Sequence, residues 1–297
     1  MFSGANAVTN NGTMRFNMPG GSSTLTLSVG PTRDGTFLNN GTYEAQMIGA
    51  TSARTHTFSN LLVNAGTMIL TNESTAATGQ ITINITASGG MTNLAGAKLL
   101  MYNNNSNSGI GNTISLAAGN FVNAGLVDMA AGDFNANEIN VTAASGIFSN
   151  ASTGTIQARV LTGVVGTNFI RAATVVNLGT INVSSGTGTL FIQTSGGAAQ
   201  FFNNSGTLDL SSAGIFVAAS GTTNSGTLRV TTGTGTLNSS LVNLAGGIVS
   251  NIGGTLVLSN VKSNAGLITV GAGGVVQIGA TGAGALSNYG TDRKSVV

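Results

Sequence analysis

The feature that most constrains this chain is a corner motif, Asn-x-Gly followed by Thr or an apolar residue, that returns every 20 to 30 residues. It stands at Asn10-Asn11-Gly12, Asn39-Asn40-Gly41, Asn64-Ala65-Gly66, Asn123-Ala124-Gly125, Asn177-Leu178-Gly179, Asn204-Ser205-Gly206, Asn224-Ser225-Gly226, Asn264-Ala265-Gly266 and Asn288-Tyr289-Gly290. Longer variants run from Asn93 to Gly96, from Asn150 to Gly154 and from Asn243 to Gly246. Successive glycines are separated by 29, 25, 30, 29, 29, 25, 27, 20, 20, 20 and 24 residues. Such a recurrence is the mark of a solenoid, in which each repeat buries its apolar face only against its neighbours.

The residues after each glycine alternate with period two, as in Leu208-Asp209-Leu210, Leu228-Arg229-Val230 and Ile181-Asn182-Val183. In a strand this turns the flanking residues to the core and the middle one to solvent. At the corner, Asn tolerates the left-handed region and bonds its own backbone, while Gly is expected to supply a positive φ. Coil stacked on coil, the asparagines are expected to form an amide ladder.

Gly and β-branched residues interrupt every helical window. Gly makes up 45 of 297 residues, so a disordered low-complexity chain is the first alternative. Hydrophobic residues at 41% and a positive mean hydropathy, arranged in runs such as Thr24–Leu27 and Ile81–Ile85, argue against it. The expected fold is all-β: a right-handed parallel β-helix of about 12 coils, forming one array over residues 1–291. At the usual strand spacing the rod is on the order of 50 to 60 Å long.

Only 6% of the residues are charged, and the outward position two residues after the corner Thr collects Arg15, Glu44, Asp128, Asp209 and Arg229. Asp209 and Arg229 lie one period apart and are expected side by side as an exposed pair. The net charge is +2, with basic residues scattered singly, so no phosphate-binding patch for nucleic acid is expected. No apolar run approaches the length of a membrane span. With no cysteine there is neither a disulfide framework nor thiolate chemistry.

The start, Met1-Phe2-Ser3-Gly4-Ala5-Asn6, has no basic or long apolar stretch of a signal peptide, and Met1 is expected to be internal to a longer chain. Residues 292–297, Asp292-Arg293-Lys294-Ser295-Val296-Val297, change composition abruptly and resemble a translated sequencing adapter. They are expected to be a non-native tail.

The corner motif and its Thr-Leu strand, from about residue 8 to 291, resemble the filamentous-haemagglutinin-like and autotransporter passenger β-helices of Gram-negative bacteria. The resemblance implies a structural, adhesive rod, secreted or held at the cell surface. It also implies an outer-membrane secretion partner and contact with glycans or other surfaces. The family's secretion region and C-terminal barrel are not found in this sequence.

No catalytic, cofactor-binding or metal-ligating residue is assigned. A carbohydrate-active β-helix, the main alternative, needs clustered carboxylates with Arg or Lys. The densest acidic stretch, Asp128, Asp133 and Glu138, does not hold one strand face. Asp133-Phe134-Asn135-Ala136-Asn137-Glu138 begins like a calcium loop but places Glu138 where the loop needs Gly and Ala144 where it needs Glu. His56, the only histidine, has no Cys to join it and is expected in a loop. Gly186–Thr189 and Gly233–Thr236 lack the lysine of a phosphate-binding loop and are expected to be turns. A further alternative is an ice-binding array built on Thr13, Thr42, Thr67, Thr155, Thr180, Thr207, Thr227 and Thr291. The β-propensity of Thr explains that column without a ligand.

Overall fold

The structure is a computed structural model describing residues 7–17, 23–27, 35–48, 53–59, 61–73, 79–86, 89–104, 109–132, 135–161, 166–184, 188–193, 201–211, 214–218, 221–279, 287–288 and 291–294. It is a parallel β-helix. A typical coil carries Phe121–Asn123 before the corner, Leu126–Ala131 after it and Asn135–Val141 beyond a second turn. Each strand pairs in parallel with its counterparts one coil away. The strands after the corner form a 12-stranded sheet, matching the expected number of coils. The other two ladders merge into one 21-stranded sheet because Thr234–Asn243 and Gly254–Asn264 run through their turn unbroken. The last post-corner strand, Thr291–Lys294, pairs with Leu267–Val270. It sets Asp292 at the register position of Ile268, which Leu208, Leu228 and Val249 fill in earlier coils. Backbone pairing thus outlasts the apolar pattern.

The period-two alternation is reproduced in burial, and the inward residues form one continuous cluster along the lumen. Register stacks like on like: Phe121 and Phe148 lie parallel at 4.9 Å between ring centroids, near the spacing of neighbouring strands.

At the first corner, Asn10, Asn39, Asn64, Asn93, Asn123, Asn150, Asn177, Asn204, Asn224, Asn243 and Asn264 stack as one amide ladder. Each Nδ2 donates to the Oδ1 of the next at 2.7–2.8 Å. All are buried. The Nδ2 groups also reach main-chain carbonyls of the following coil, as Asn39 does to Thr67 and Asn177 to Thr207. The ladder therefore spans nearly every described coil.

The corner glycines act differently from expectation. Gly41, Gly66, Gly125, Gly179, Gly206 and Gly226 do not adopt a positive φ. They are required by close approach: a Cβ on Gly206 would lie 2.1 Å from the carbonyl oxygen of Gly179, and one on Gly41 2.0 Å from that of Gly12. Positive φ appears instead at the inserted Gly96 and Gly246. In those coils Ala97 and Gly247 take the corner position, since Lys98 pairs with Thr67 and Ile248 with Thr227. The Ala97 amide closes a local turn onto Leu94, as the Gly247 amide does onto Leu244.

A second, shorter ladder lines the next turn, where the Asn112 Nδ2 donates to Asn137 at 3.0 Å and the Asn137 Nδ2 to Asn168 at 3.2 Å. Asn72 and Asn103, also buried, bond carbonyls there. The second turn of these coils is thus held by amides as well.

Replacing Asn177 by Ala strands a donor on one neighbour and an acceptor on the other, and should cost roughly 2–3 kcal/mol in denaturant unfolding. Asn177→Asp should cost at least as much, because it removes the donor and buries a charge. Gly206→Ala should destabilise by about 2 kcal/mol or more, the range of overpacking. Gly12→Ala, which would meet nothing within 4 Å, should be near neutral in the same assay.

Candidate functional site

The outward residues of the 12-stranded sheet carry three of the four ion pairs. Arg15 and Glu44 are register partners, with Nε 2.6 Å from the carboxylate. Asp209 and Arg229 are likewise register partners at 2.7 Å, as the repeat period implies. Asp128 has Leu100 and Gln157 as its register partners and no base among them. It turns diagonally to Arg159, which grips it through two bonds of 2.8 Å each. Ala130, the register partner of Arg159, is too small to block that path. The same guanidinium lies 5.8 Å from the centre of the Tyr102 ring. Hydrogen bonding to Asp128 pushes Arg159 further up, and burial pushes the Tyr102 phenol up.

Although they point outward, Glu44 and Asp128 are buried beneath their neighbours. The outward position is thus not solvent-facing throughout. Being partly exposed, the Arg15 and Arg229 pairs contribute about 0–1 kcal/mol each.

The acidic stretch divides between faces. Asp128 stands on the 12-stranded sheet and Glu138 on the strand after the second turn, while Asp133 lies outside the described residues. Glu138 is 3.3 Å from Arg171, without the alignment of a hydrogen bond. Burial pushes its carboxyl up, against the pull of Arg171 and Asn140. The Arg171 guanidinium also covers Phe169 at 4.8 Å, and Phe169 stacks outward on Phe191 at 5.4 Å. Among the residues whose side chains are described, Glu73 is the carboxylate without an arginine beside it, and among the described residues no group of three or more His, Cys, Asp or Glu side chains is close enough to hold a metal ion. Among the residues whose side chains are described, no two carboxylates therefore meet with a free cation.

His56 is not in a loop. It occupies the strand Arg54–Phe58 with Arg54 and Phe58 on its inward side, 1% exposed, and its Nδ1 bonds the Tyr43 hydroxyl. Burial lowers its pKa to about 4 and pushes the Tyr43 phenol up, so both are neutral. Thr55 and Thr57 take the outward positions, which leaves three large polar and aromatic side chains for the lumen.

The threonine column is outward as expected but is broken. Register places Lys98 and Leu126 between Thr67 and Thr155, and Ile248 and Leu267 between Thr227 and Thr291. Within the Gly-rich stretches, the expected turn at Gly233–Thr236 is confined to Gly233, with φ +72°; Thr234, Gly235 and Thr236 already belong to the strand Thr234–Asn243, and Thr189 to the strand Thr189–Gln193. Gly186 and Thr187 lie outside the described residues.

Among the described residues, a shallow depression of about 260 Å³ lies on the 12-stranded sheet, and a second of the same size lies at the corner around Ala97, Gly125 and Thr155; the first is the more polar in its side chains. Gln157, Asn182, Ser184, Asp209, Ser211 and Arg229 line this first depression. Its size is below the usual range of small-molecule pockets, so it suits one unit of a longer polar ligand. The period and the paired charges make Asp209 and Arg229 legible in the sequence. Arg159, Tyr102 and Arg171 are missed because their contacts run diagonally, two residues off the column. Comparison of the chain with protein-family models, curated proteins and solved structures gives no match.

Because the unfolded His56 titrates near 6.5 and the folded one near 4, the unfolded state binds more protons between these values. Stability present above pH 6.5 should fall as the pH drops toward 4, by up to about 3 kcal/mol. Glu138, pushed up in the fold, acts in the opposite sense. Thermal unfolding of His56→Phe across this range should lack the His56 part of the slope; an unchanged slope would place the effect elsewhere.

Proposed function

We propose that this chain is a segment of a rigid adhesive rod, exported to the surface of a Gram-negative bacterium, which meets glycans or other surfaces without chemistry. The observation that carries this reading is the unbroken register of the 12-stranded sheet, held through eleven coils by one buried amide ladder. Such an array builds length and a repeated outer face. The likeness to filamentous-haemagglutinin-like and autotransporter passenger repeats supports the surface location and an outer-membrane secretion partner. The exterior of Asn, Ser, Thr and paired charges supports polar contacts, and the commitment of Glu44, Asp128, Glu138 and Asp209 to arginines speaks against acid–base work.

The test is incubation of the chain with a panel of immobilised acidic and neutral polysaccharides, scoring both retention and chain cleavage. Retention without shortened or unsaturated products supports the rod. Cleavage transfers the assignment to a carbohydrate-active β-helix. If the depression is the contact, Arg229→Ala should weaken retention about tenfold, equivalent to 1.4 kcal/mol, while changing stability by less than about 1 kcal/mol.

A further inference from the structure

The N-terminal lumen contains a group that neither packing nor the outer face accounts for. Arg54 is 2% exposed, and its Nε, Nη1 and Nη2 atoms are buried without a hydrogen-bond partner. A guanidinium cannot shed its proton inside a protein, so burial does not neutralise it as it does a lysine or carboxyl. Buried charges persist where something answers them, and an unanswered one is among the costliest features a fold can contain.

Nothing described in its own coil supplies the answer. Glu44 points outward and is taken by Arg15 and Gln46, and Glu73 is exposed. His56 is neutral and bonded to Tyr43. Met47 occupies the register position that Asn72 and Asn103 fill in the next two coils. There the amides meet the polar atoms of the second turn; at Met47 no comparable oxygen exists. Arg54 itself stands where Asn112, Asn137 and Asn168 stand farther along, with Ile81 between. The coil also carries Ala45 in a column that Phe16, Leu70 and Met101 fill in its neighbours.

We infer that the lumen beside Arg54 is a binding site for a small inorganic monovalent anion of the chloride type, bound between the second and third coils through the guanidinium. Its monovalency follows from the single cation, and its small size from a coil whose inward Tyr43, Met47, His56 and Phe58 are each at most 1% exposed. The bound anion makes these coils depend on solvent composition in a way the rest of the rod does not.

Hydrogen exchange of the full chain, followed over residues 36–48 and 54–58 in sodium chloride against sodium gluconate at equal ionic strength, tests this. The expected result is protection that rises about tenfold per tenfold chloride once the site begins to fill, with no response to gluconate. Arg54→Met should keep the strands but lose the response, since replacing a buried charge by an apolar side chain of similar length is tolerated. Equal protection in the two salts, or a chloride response that survives in Arg54→Met, overturns the proposal. So does a chloride-insensitive chain in which Asp34→Asn strips protection from the same strands, because the counter-charge is then the chain's own. Should Arg54→Met fail to fold, broadening of the chloride NMR line by the unmodified chain, reversed by bromide, is the readout, and an unbroadened line overturns the site.

Discussion

The buried asparagine ladder is the interaction on which the rest of this structure depends. A parallel β-helix turns its backbone sharply at each corner, and the carbonyl groups there stand beside a lumen packed with apolar side chains. The amides of Asn10 through Asn224 resolve this by serving two partners at once, the next amide and main-chain oxygens of the next coil. A side chain with one donor cannot do both, and an apolar one can do neither. Because each amide is fixed from below and above, register at the corner cannot slip without breaking several bonds together. The apolar columns then stack in register, and the outward charges meet across coils.

The close corner glycines reinforce the same constraint. The distance between coils at Gly179 and Gly206 is short enough that any side chain would push the carbonyl away, so ladder and pitch are set at one point. Coils of unequal length are accommodated away from it. The extra residues of Leu94-Ala95-Gly96 and Leu244-Ala245-Gly246 bulge outward as tight turns, and Asn93 and Asn243 keep their places in the stack.

Much of this is legible in the sequence because a solenoid repeats its physics. The period, the strand alternation, the amide ladder and the Asp209–Arg229 pair follow from residues that recur at fixed offsets. What escapes is whatever departs from the repeat or runs diagonally. Gly96 and Gly246 match the motif by eye, yet the corner belongs to Ala97 and Gly247, because two inserted residues shift the register invisibly. Asn112, Asn137 and Asn168 sit in stretches where Asn is common, and only strand pairing aligns them. His56 reads as a loop residue because polar side chains rarely take the inward parity of a strand, and here Arg54 and His56 both do within one strand. The Asp128–Arg159 pair is hidden because it crosses the column rather than following it.

The direction of the interstrand hydrogen bonds has a mechanical consequence. They run along the axis of the stack, so a pull on the two ends passes through every coil. At an outermost coil it falls on the bonds nearest the chain end one after another, whereas each interior interface shares it across a whole coil of bonds. Each coil that opens exchanges about 5 Å of stacked height for a slack chain of 20 to 30 residues, roughly 70 to 100 Å long. Under tension such a stack peels layer by layer instead of snapping, and every opened layer relaxes the load on those still closed.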